Sequence, residues 1–327
     1  MTINGYMKKT VRLSLLFLLG FGYSVAQPRV ILDLDIDSDV DDVSALAMLN
    51  TMHNNNQLRL LGVIVTSDDS AAAFCASAVN TYFGNGDLPI GILKNQPNLR
   101  NHSRYTSKVA TEFAHRGVRP GDFPDATELY RELLTNSGDS SVIVLTIGHL
   151  TNFQSLLKSR PDNHSKLTGK DLSHKKVYKW ICMGGQFPEG KEANFYRPDP
   201  ASTVYSINEW KKPVVFAGWE VGEKIKTGGE FLKNNIEITS PVYRAYELYN
   251  NFKGRSSWDQ VAVLLLSQKA EKFFEYISDG KCQVNEDGSN KWLPGKVSNH
   301  SYIKLRPGAD LIQISQMIDD MVIKTQQ

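Results

Sequence analysis

Six aspartates are crowded into one short stretch near the start of the chain. Residues 33–42 read DLDIDSDVDD, and we name this stretch the acid turn. It follows residues 30–32, an apolar run that predicts a buried strand, and precedes residues 43–49, whose pattern predicts an amphipathic helix. A turn from strand to helix is where an α/β sheet binds its ligands. The acid turn therefore constrains both the fold and the position of a site.

The charge of the acid turn calls for a cation. The dipole of a helix N-terminus stabilises one or two acids, and a helix cap requires one. The alternative is an acidic loop whose charges are solvated by water. An EF-hand is excluded, because the turn has no Gly at the sixth position, no Glu at the twelfth, and a strand where the first helix should be. Carboxylate and carbonyl oxygens suit a hard ion, so we predict a site for Ca²⁺ or Mg²⁺.

The rest of the chain alternates between the two kinds of pattern. Strands are predicted at residues 58–65, 89–92, 142–145, 177–183 and 214–216. Helices are predicted at residues 71–83, 126–135, 153–157 and onward, 242–249, 260–268 and 311–323, and a long loop at residues 94–125. This alternation predicts an α/β fold with a mainly parallel central sheet and helices on both faces, Rossmann-like. We find no repeat or linker, and predict one domain over residues 27–327.

The first 26 residues have the pattern of a secretory signal peptide. Basic residues precede the short apolar run at residues 13–19, and small residues at 24 and 26 form a cleavage site. The apolar run is too short to span a membrane. We therefore expect a periplasmic or secreted protein, with no membrane attachment after cleavage.

Composition narrows the possible partners. The net charge is +2 and there is no basic run, which argues against nucleic acid. Three cysteines are too few for a disulfide framework, although one bridge is possible. Glycosylation sequons begin at Asn101, Asn163 and Asn299, and they matter only in a eukaryotic host. The oligomeric state stays open, and a homo-oligomer is possible.

The acid turn resembles the N-terminal motif of the nucleoside hydrolase family, in which a strand leads to D-x-D, three residues, and D-D at the start of a helix. Asp33 and Asp35 match the D-x-D, and Asp42 matches the second aspartate of the D-D pair. Two extra residues leave open whether Asp39 or Asp41 is the first member of that pair. A register without a gap, starting from Asp35 and putting Asp37 in the second position of D-x-D, is the alternative.

Two middle stretches resemble the same family. Residues 145–152 are similar to its G-x-L-T-N turn, where the residue before the glycine gives its carbonyl to the metal, which points to Ile147. Residues 183–185, MGG, with Glu192 and Asn194, are similar to its M-G-G and E-x-N pair, which binds ribose hydroxyls. Taken alone, each is also typical of an ordinary turn.

A later stretch resembles the late metal-binding aspartate of the family. Asp259 occupies that position, and Trp258 precedes it, as a Trp does in purine-preferring members. Taken alone, Asp259 is typical of a helix N-cap and Trp258 of a core residue.

The resemblance implies an exported, Ca²⁺-dependent N-ribohydrolase that cleaves the N-glycosidic bond of purine nucleosides to base and ribose. The resemblance implies that Asp35, Asp42, Asp259 and the Ile147 carbonyl bind Ca²⁺, and that Asp35 is also the general base. It implies that Asp39 or Asp41 binds the 2′-hydroxyl and that Glu192 and Asn194 bind the other hydroxyls. Trp258 would stack on the base. Two other functions remain open: hydrolysis of a different glycoside, and binding of a nucleoside or sugar without catalysis.

Overall fold

The computed structural model of the protein describes Met1 and residues 27–37, 39–94, 105–117 and 119–323. The predicted signal peptide, Met1 apart, and the sequon at Asn101 lie outside the described residues. Within these ranges, none of the helices has the length and apolar character that a membrane crossing needs.

The strands and helices follow each other along the whole described chain. The strands are β1 Arg29–Leu34, β2 Arg59–Val65, β3 Ile90–Ile92, β4 Val142–Thr146, β5 Val177–Met183, β6 Glu189–Gly190, β7 Val214–Ala217, β8 Lys226–Thr227, β9 Arg255–Ser256, β10 Phe274–Ile277, β11 Gly280–Val284, β12 Asn290–Pro294 and β13 His300–Leu305. The helices are α1 Asp41–Asn54, α2 Ala72–Tyr82, α3 Thr106–Glu112, α4 Ala126–Thr135, α5 Thr151–Lys158, α6 Gly169–Lys176, α7 Ala193–Tyr196, α8 Pro200–Glu209, α9 Trp219–Gly222, α10 Glu230–Asn235, α11 Pro241–Asn250, α12 Trp258–Leu264 and α13 Leu311–Val322.

The central sheet has eight strands in the order β10-β13-β7-β5-β4-β1-β2-β3. All neighbouring pairs are parallel except the edge pair of β10 and β13. β1 lies between β4 and β2, and the carboxyl ends of β1, β4 and β5 therefore meet at one edge of the sheet. This arrangement brings the acid turn next to the segments that follow β4 and β5.

Both faces of the sheet are covered. The side chains of β1 alternate, so that Val30, Leu32 and Leu34 join one hydrophobic core and Ile31 joins the other. The first core is closed by α1, α2, α11, α12 and α13, and the second by α4, α5, α6 and α8. The predicted α/β fold, with a mainly parallel sheet and helices on both faces, is confirmed.

Several local predictions were wrong. α1 is buried on nearly all sides rather than amphipathic, because α12 and α13 cover the side that a surface helix would leave to water. The predicted loop at residues 94–125 contains α3, whose buried face packs on α2. The helix predicted at residues 260–268 is shorter at its end and is followed by a 3₁₀ turn, Gln268–Lys272. The three cysteines are buried and unpaired.

Candidate active site

A pocket of about 190 Å³ opens at the carboxyl ends of β1, β4 and β5. It is lined by Asp35, Asp39, Asp41, Asp42, Ile147, Met183, Glu192, Ala193, Asn194, Arg197, Trp219, Arg255, Trp258 and Asp259. Every site residue predicted from the sequence is in this lining. The pocket thus unites distant parts of the chain. Asp39 and Arg255, for example, are separated by 216 positions.

Two aspartates of the acid turn are held by hydroxyl groups outside the pocket lining. Asp33 accepts hydrogen bonds from the Thr66 and Tyr130 hydroxyls, both at 2.8 Å. Asp37 accepts a hydrogen bond from the Ser67 hydroxyl at 2.8 Å. The structure therefore places Asp35 in the pocket lining, whereas Asp37 contacts the loop that follows β2.

Three buried carboxylates form a compact cluster at the base of the pocket. Asp41 and Asp42 are the first two residues of α1, Asp259 is the second residue of α12, and one oxygen of each lies within 4.8 Å of the others. Asp42 Oδ1 is buried and has no hydrogen-bond partner among the described residues. The pKa of each carboxyl is raised well above its usual value, by burial first and then by the negative charges of the other aspartates.

This donor set fits a hard divalent cation. A buried charge needs a partner of opposite sign. The three members of the cluster are all carboxylates, so none of them can neutralise another. A calcium or magnesium ion takes oxygen ligands of this kind. The cluster and the predicted ligand set share Asp42 and Asp259. Asp41 belongs to the cluster but was not among the predicted ligands, and the predicted ligand Asp35 lines the same pocket outside the cluster.

Gly148 allows the segment after β4 to approach Asp35 closely. A Cβ at this position would lie 2.7 Å from the Asp35 amide nitrogen and 2.8 Å from its Cβ, so a larger residue would displace one of the two segments. The approach places Ile147 in the pocket lining, where its carbonyl accepts a hydrogen bond from Asn194 Nδ2 at 3.0 Å. The pKa of Asp35 is raised to about 7, by desolvation and by the negative charges of Asp37 and Glu192.

Glu192 and Asn194 are fixed by the short helix α7. Glu192 caps this helix, and its carboxylate accepts hydrogen bonds from the Asn194 amide at 2.8 Å and the Gly185 amide at 3.0 Å. Desolvation raises the pKa of Glu192 to about 7. The pair offers a carboxylate and an amide side by side, which suits vicinal hydroxyl groups.

Asp39 and Trp258 share a partner that the sequence reasoning missed. Arg255 donates to Asp39 Oδ2 from Nε at 2.8 Å and from Nη2 at 2.5 Å. Its guanidinium carbon lies 4.9 Å from the centre of the Trp258 ring, and the indole N–H donates to the Trp219 carbonyl at 3.1 Å. The only sequence signal was the crowding of six acids in the turn, whose mutual repulsion requires a positive charge. Met183 and Ala193 lie within the M-G-G and E-x-N motifs without having been assigned a role, and no pattern marked the other lining residues, Arg197 and Trp219.

The comparisons with known proteins agree with this geometry. The profile of the inosine-uridine preferring nucleoside hydrolase family matches residues 30–302. No curated protein matches the chain. Among solved structures, the purine-preferring ribonucleoside hydrolase from Gardnerella vaginalis has a TM-score of 0.68 and 14% identity, over 90% of this chain and 98% of that chain.

Two further structures share the fold. The inosine-uridine preferring nucleoside hydrolase from Bacillus anthracis has a TM-score of 0.65 and 14% identity, over 91% of this chain and 100% of that chain. The type III effector protein XopQ, solved in complex with adenosine diphosphate ribose, has a TM-score of 0.67 and 14% identity, over 91% of this chain and 94% of that chain. At such identities the structures establish the fold, and the profile match establishes the family. The protein is therefore an N-glycosyl hydrolase, and it belongs to the inosine-uridine preferring nucleoside hydrolase family.

Proposed function

We propose that the protein is an exported, Ca²⁺-dependent N-ribohydrolase that prefers purine nucleosides and releases base and ribose. The observation that carries the proposal is the pocket itself. Within about 190 Å³, it brings together the buried carboxylate cluster, the half-buried Asp35, and the pair of Glu192 and Asn194. Metal-dependent hydrolysis of a ribosyl bond uses three elements of this kind: a cation site, a base that activates water, and hydrogen-bond partners for the ribose hydroxyls.

The metal ligands of the proposal are Asp35, Asp42, Asp259 and the Ile147 carbonyl. The unpartnered Asp42 Oδ1 and the mutual repulsion of the buried acids support a resident cation. Several carboxylates together with a backbone carbonyl favour Ca²⁺, which takes six to eight oxygen ligands in a flexible geometry, over Mg²⁺, which usually keeps several waters. When bound, the ion would orient water and sugar hydroxyls and stabilise negative charge.

Asp35 is the proposed general base. Water attacks C1′ of the ribose through an oxocarbenium-like transition state, and Asp35 accepts its proton while the C1′–N bond breaks. Asp41 is assigned to the 2′-hydroxyl, because it lies beside Asp42 in the buried cluster, whereas Asp39 forms an ion pair with Arg255. Glu192 and Asn194 bind the remaining hydroxyls.

The purine preference rests on the aromatic side of the pocket. Trp258 lines it, and the guanidinium carbon of Arg255 lies 4.9 Å from the centre of its ring, so a base that enters here meets an aromatic ring and a cation. Structures of the same fold include a purine-preferring hydrolase and an inosine-guanosine hydrolase as well as an inosine-uridine preferring one, so the proposed preference is argued from the pocket itself.

A nucleoside panel tests the proposal. Purified protein is incubated with inosine, guanosine, adenosine, uridine, cytidine and adenosine diphosphate ribose, and free ribose is measured with calcium and with chelator. We expect ribose from purine nucleosides in calcium and its loss in chelator. Binding without release of ribose would indicate a binding protein, and activity on other glycosides alone would indicate a different hydrolase.

Export is proposed from residues 1–26 and has its own test. The full chain is expressed with its native N-terminus in a bacterium, and the mature protein is sequenced from its N-terminus. We expect a periplasmic or secreted protein that begins at Gln27. A protein retained in the cytosol with its first residues intact would contradict export.

A further inference from the structure

Arg255 brings a positive charge into a pocket dominated by carboxylates. It is the first residue of β9, which pairs with β8, and it lies three positions before Trp258. The acidic residues of the lining are Asp35, Asp39, Asp41, Asp42, Glu192 and Asp259, against two arginines, Arg197 and Arg255. These carboxylates attract the guanidinium, and Asp39 is its direct partner.

The guanidinium of Arg255 is held in one orientation. Asp39 accepts from its Nε and Nη2, and Asp39 is itself fixed by the Val40 amide, which donates to its Oδ1 at 2.7 Å, and by the Tyr105 hydroxyl, which donates to its carbonyl at 2.5 Å. A guanidinium has five N–H donors, and the contact with Asp39 uses only one side of the fork. Among the described residues, none accepts a hydrogen bond from Nη1.

The position of the guanidinium determines what a base would meet. It covers one face of the Trp258 ring at 4.9 Å, so a base that approaches this face contacts Arg255 before the indole. Because both partners of the arginine are already in place, binding costs little side-chain ordering.

We propose that Arg255 is a specificity and leaving-group residue that donates hydrogen bonds to O6 and N7 of a 6-oxopurine base. The inference rests on the proposed nucleoside hydrolysis and names its substrate class. Hypoxanthine and guanine present two acceptors, O6 and N7, on this edge, whereas adenine presents N7 and the N6 amino donor. A guanidinium can only donate, so it pairs with the first edge and opposes the amino group of the second. A phosphorylated substrate is disfavoured, because the lining acids outnumber the arginines.

The same contact assists bond cleavage. As the C1′–N9 bond breaks, its electron pair passes to the purine, and negative charge spreads over the ring to N7 and O6. Water supplies the oxygen that bonds to C1′, Asp35 takes its proton, and the departing base is protonated from solvent. A fixed guanidinium at O6 and N7 stabilises the charge where it develops, without reorganisation.

The test compares inosine with adenosine in the wild type, Arg255→Gln and Arg255→Lys. We expect the wild type to favour inosine in kcat/KM, and Arg255→Gln to lower kcat/KM for inosine by about a hundredfold. The rate on adenosine and on p-nitrophenyl riboside should fall much less, because neither uses the O6 acceptor. Arg255→Lys keeps the charge and loses the fork, so it should recover only part of the rate on inosine.

A binding measurement and a matched control exclude a structural effect. Calorimetry should show hypoxanthine binding more tightly than adenine to the wild type, and this preference should be lost in Arg255→Gln, whose amide can also accept a hydrogen bond from the N6 amino group of adenine. Arg160→Gln, at an exposed arginine outside the pocket lining, should change none of these quantities.

The outcomes separate the two proposals. A wild type that cleaves purine nucleosides but treats inosine and adenosine alike overturns the role of Arg255 and leaves the hydrolase. Equal losses on inosine and p-nitrophenyl riboside in Arg255→Gln do the same. A wild type that releases no ribose from any nucleoside overturns the proposed function. The comparison of bases in the wild type needs no variant, so it stands even if Arg255→Gln fails to fold.

Discussion

The aspartates of the acid turn differ in what surrounds their carboxylates. Asp33 and Asp37 are buried and are met by hydroxyl donors from Thr66, Tyr130 and Ser67. These donors come from other elements of the fold and lie at ordinary hydrogen-bond distances. Burial of a carboxylate is compatible with a purely structural role when such donors are present.

Asp41 and Asp42, with Asp259 from α12, are equally buried, but their close neighbours are mainly one another. The contact from the Asp259 amide to Asp41 is long, at 3.4 Å, and Asp42 Oδ1 has no partner in the described part of the chain. The two groups therefore differ in the hydroxyl donors near their carboxylates, and we expect the acids that lack such donors to be the ligands of the cation. The predictions that follow test this distinction.

The largest expected effect is that of Asp35→Asn. It removes the proposed proton acceptor and a ligand charge from the pocket, so turnover should fall by about 10³–10⁴-fold or more. Asp37→Asn is the matched control, since Asn retains an oxygen that accepts from Ser67, and it should change turnover little. Steady-state kinetics on inosine measures both. The reverse order would show that Asp37 is the base and that the gapless register is correct.

Removal of one member of the cluster should abolish calcium binding. We expect Asp42→Ala and Asp259→Ala each to lose stoichiometric calcium and activity while the fold survives. In calcium, the wild type should be more stable than the variants by about 3 kcal/mol, because only it binds the ion. In chelator the order should reverse, since each variant has lost one buried, repelled charge.

Calorimetry measures calcium binding, and thermal unfolding with calcium and with chelator measures the reversal in the relative stability of the wild type and the variants. Asp37→Asn serves again as control and should respond to calcium as the wild type does. Full activity in chelator, together with no divalent metal in the purified protein, would refute the cation site.

A smaller effect is expected at the aromatic side of the pocket. Trp258→Ala removes the ring on which the guanidinium of Arg255 lies, and should lower kcat on inosine by about tenfold to a hundredfold. The loss on p-nitrophenyl riboside should be much smaller, because its leaving group needs no assistance. Equal losses on the two substrates, or a preference of the wild type for uridine, would remove Trp258 from base recognition.

The central sheet and most of the pocket could be predicted from the sequence, for a physical reason. β1, β4, β5 and β7 are covered on both faces and are therefore nearly continuous apolar runs, and parallel strands bring their following residues to one edge. The strands β10–β13 are only four to six residues long, and alternation of polar and apolar residues over so short a length is a weak signal of a strand.

Arg255 shows the limit of the sequence reasoning. Its partner Asp39 lies 216 positions away, and the two segments meet only through the packing of α1 against α12. Neither residue belongs to a periodic pattern, so periodicity could not connect them. The six crowded acids indicated a cation, but the position of Arg255 beside Asp39 required the fold.

The smallest effect concerns a buried acid far from the acid turn that has one donor. Asp319, on α13, accepts a hydrogen bond from the Gly228 amide at 3.0 Å, yet burial, with a contribution from Asp320, raises its pKa to about 7. The unfolded chain releases this proton near pH 3.8, whereas the folded chain holds it to about pH 7. The folded state therefore binds more protons between these values, and its stability falls as the pH rises through this window.

Asp319→Asn keeps an acceptor for Gly228 and removes the charge. Lys226 and Glu230 beside this position are unchanged in the variant, so their contributions cancel in the comparison. We expect the variant to be more stable than the wild type by on the order of 2 kcal/mol above pH 7, and the difference to vanish below about pH 4. Urea unfolding of both proteins across this range, in the same calcium concentration, gives the difference directly. A constant difference at every pH would mean that Asp319 stays charged in the fold, and that one backbone donor is enough to keep a buried aspartate ionised.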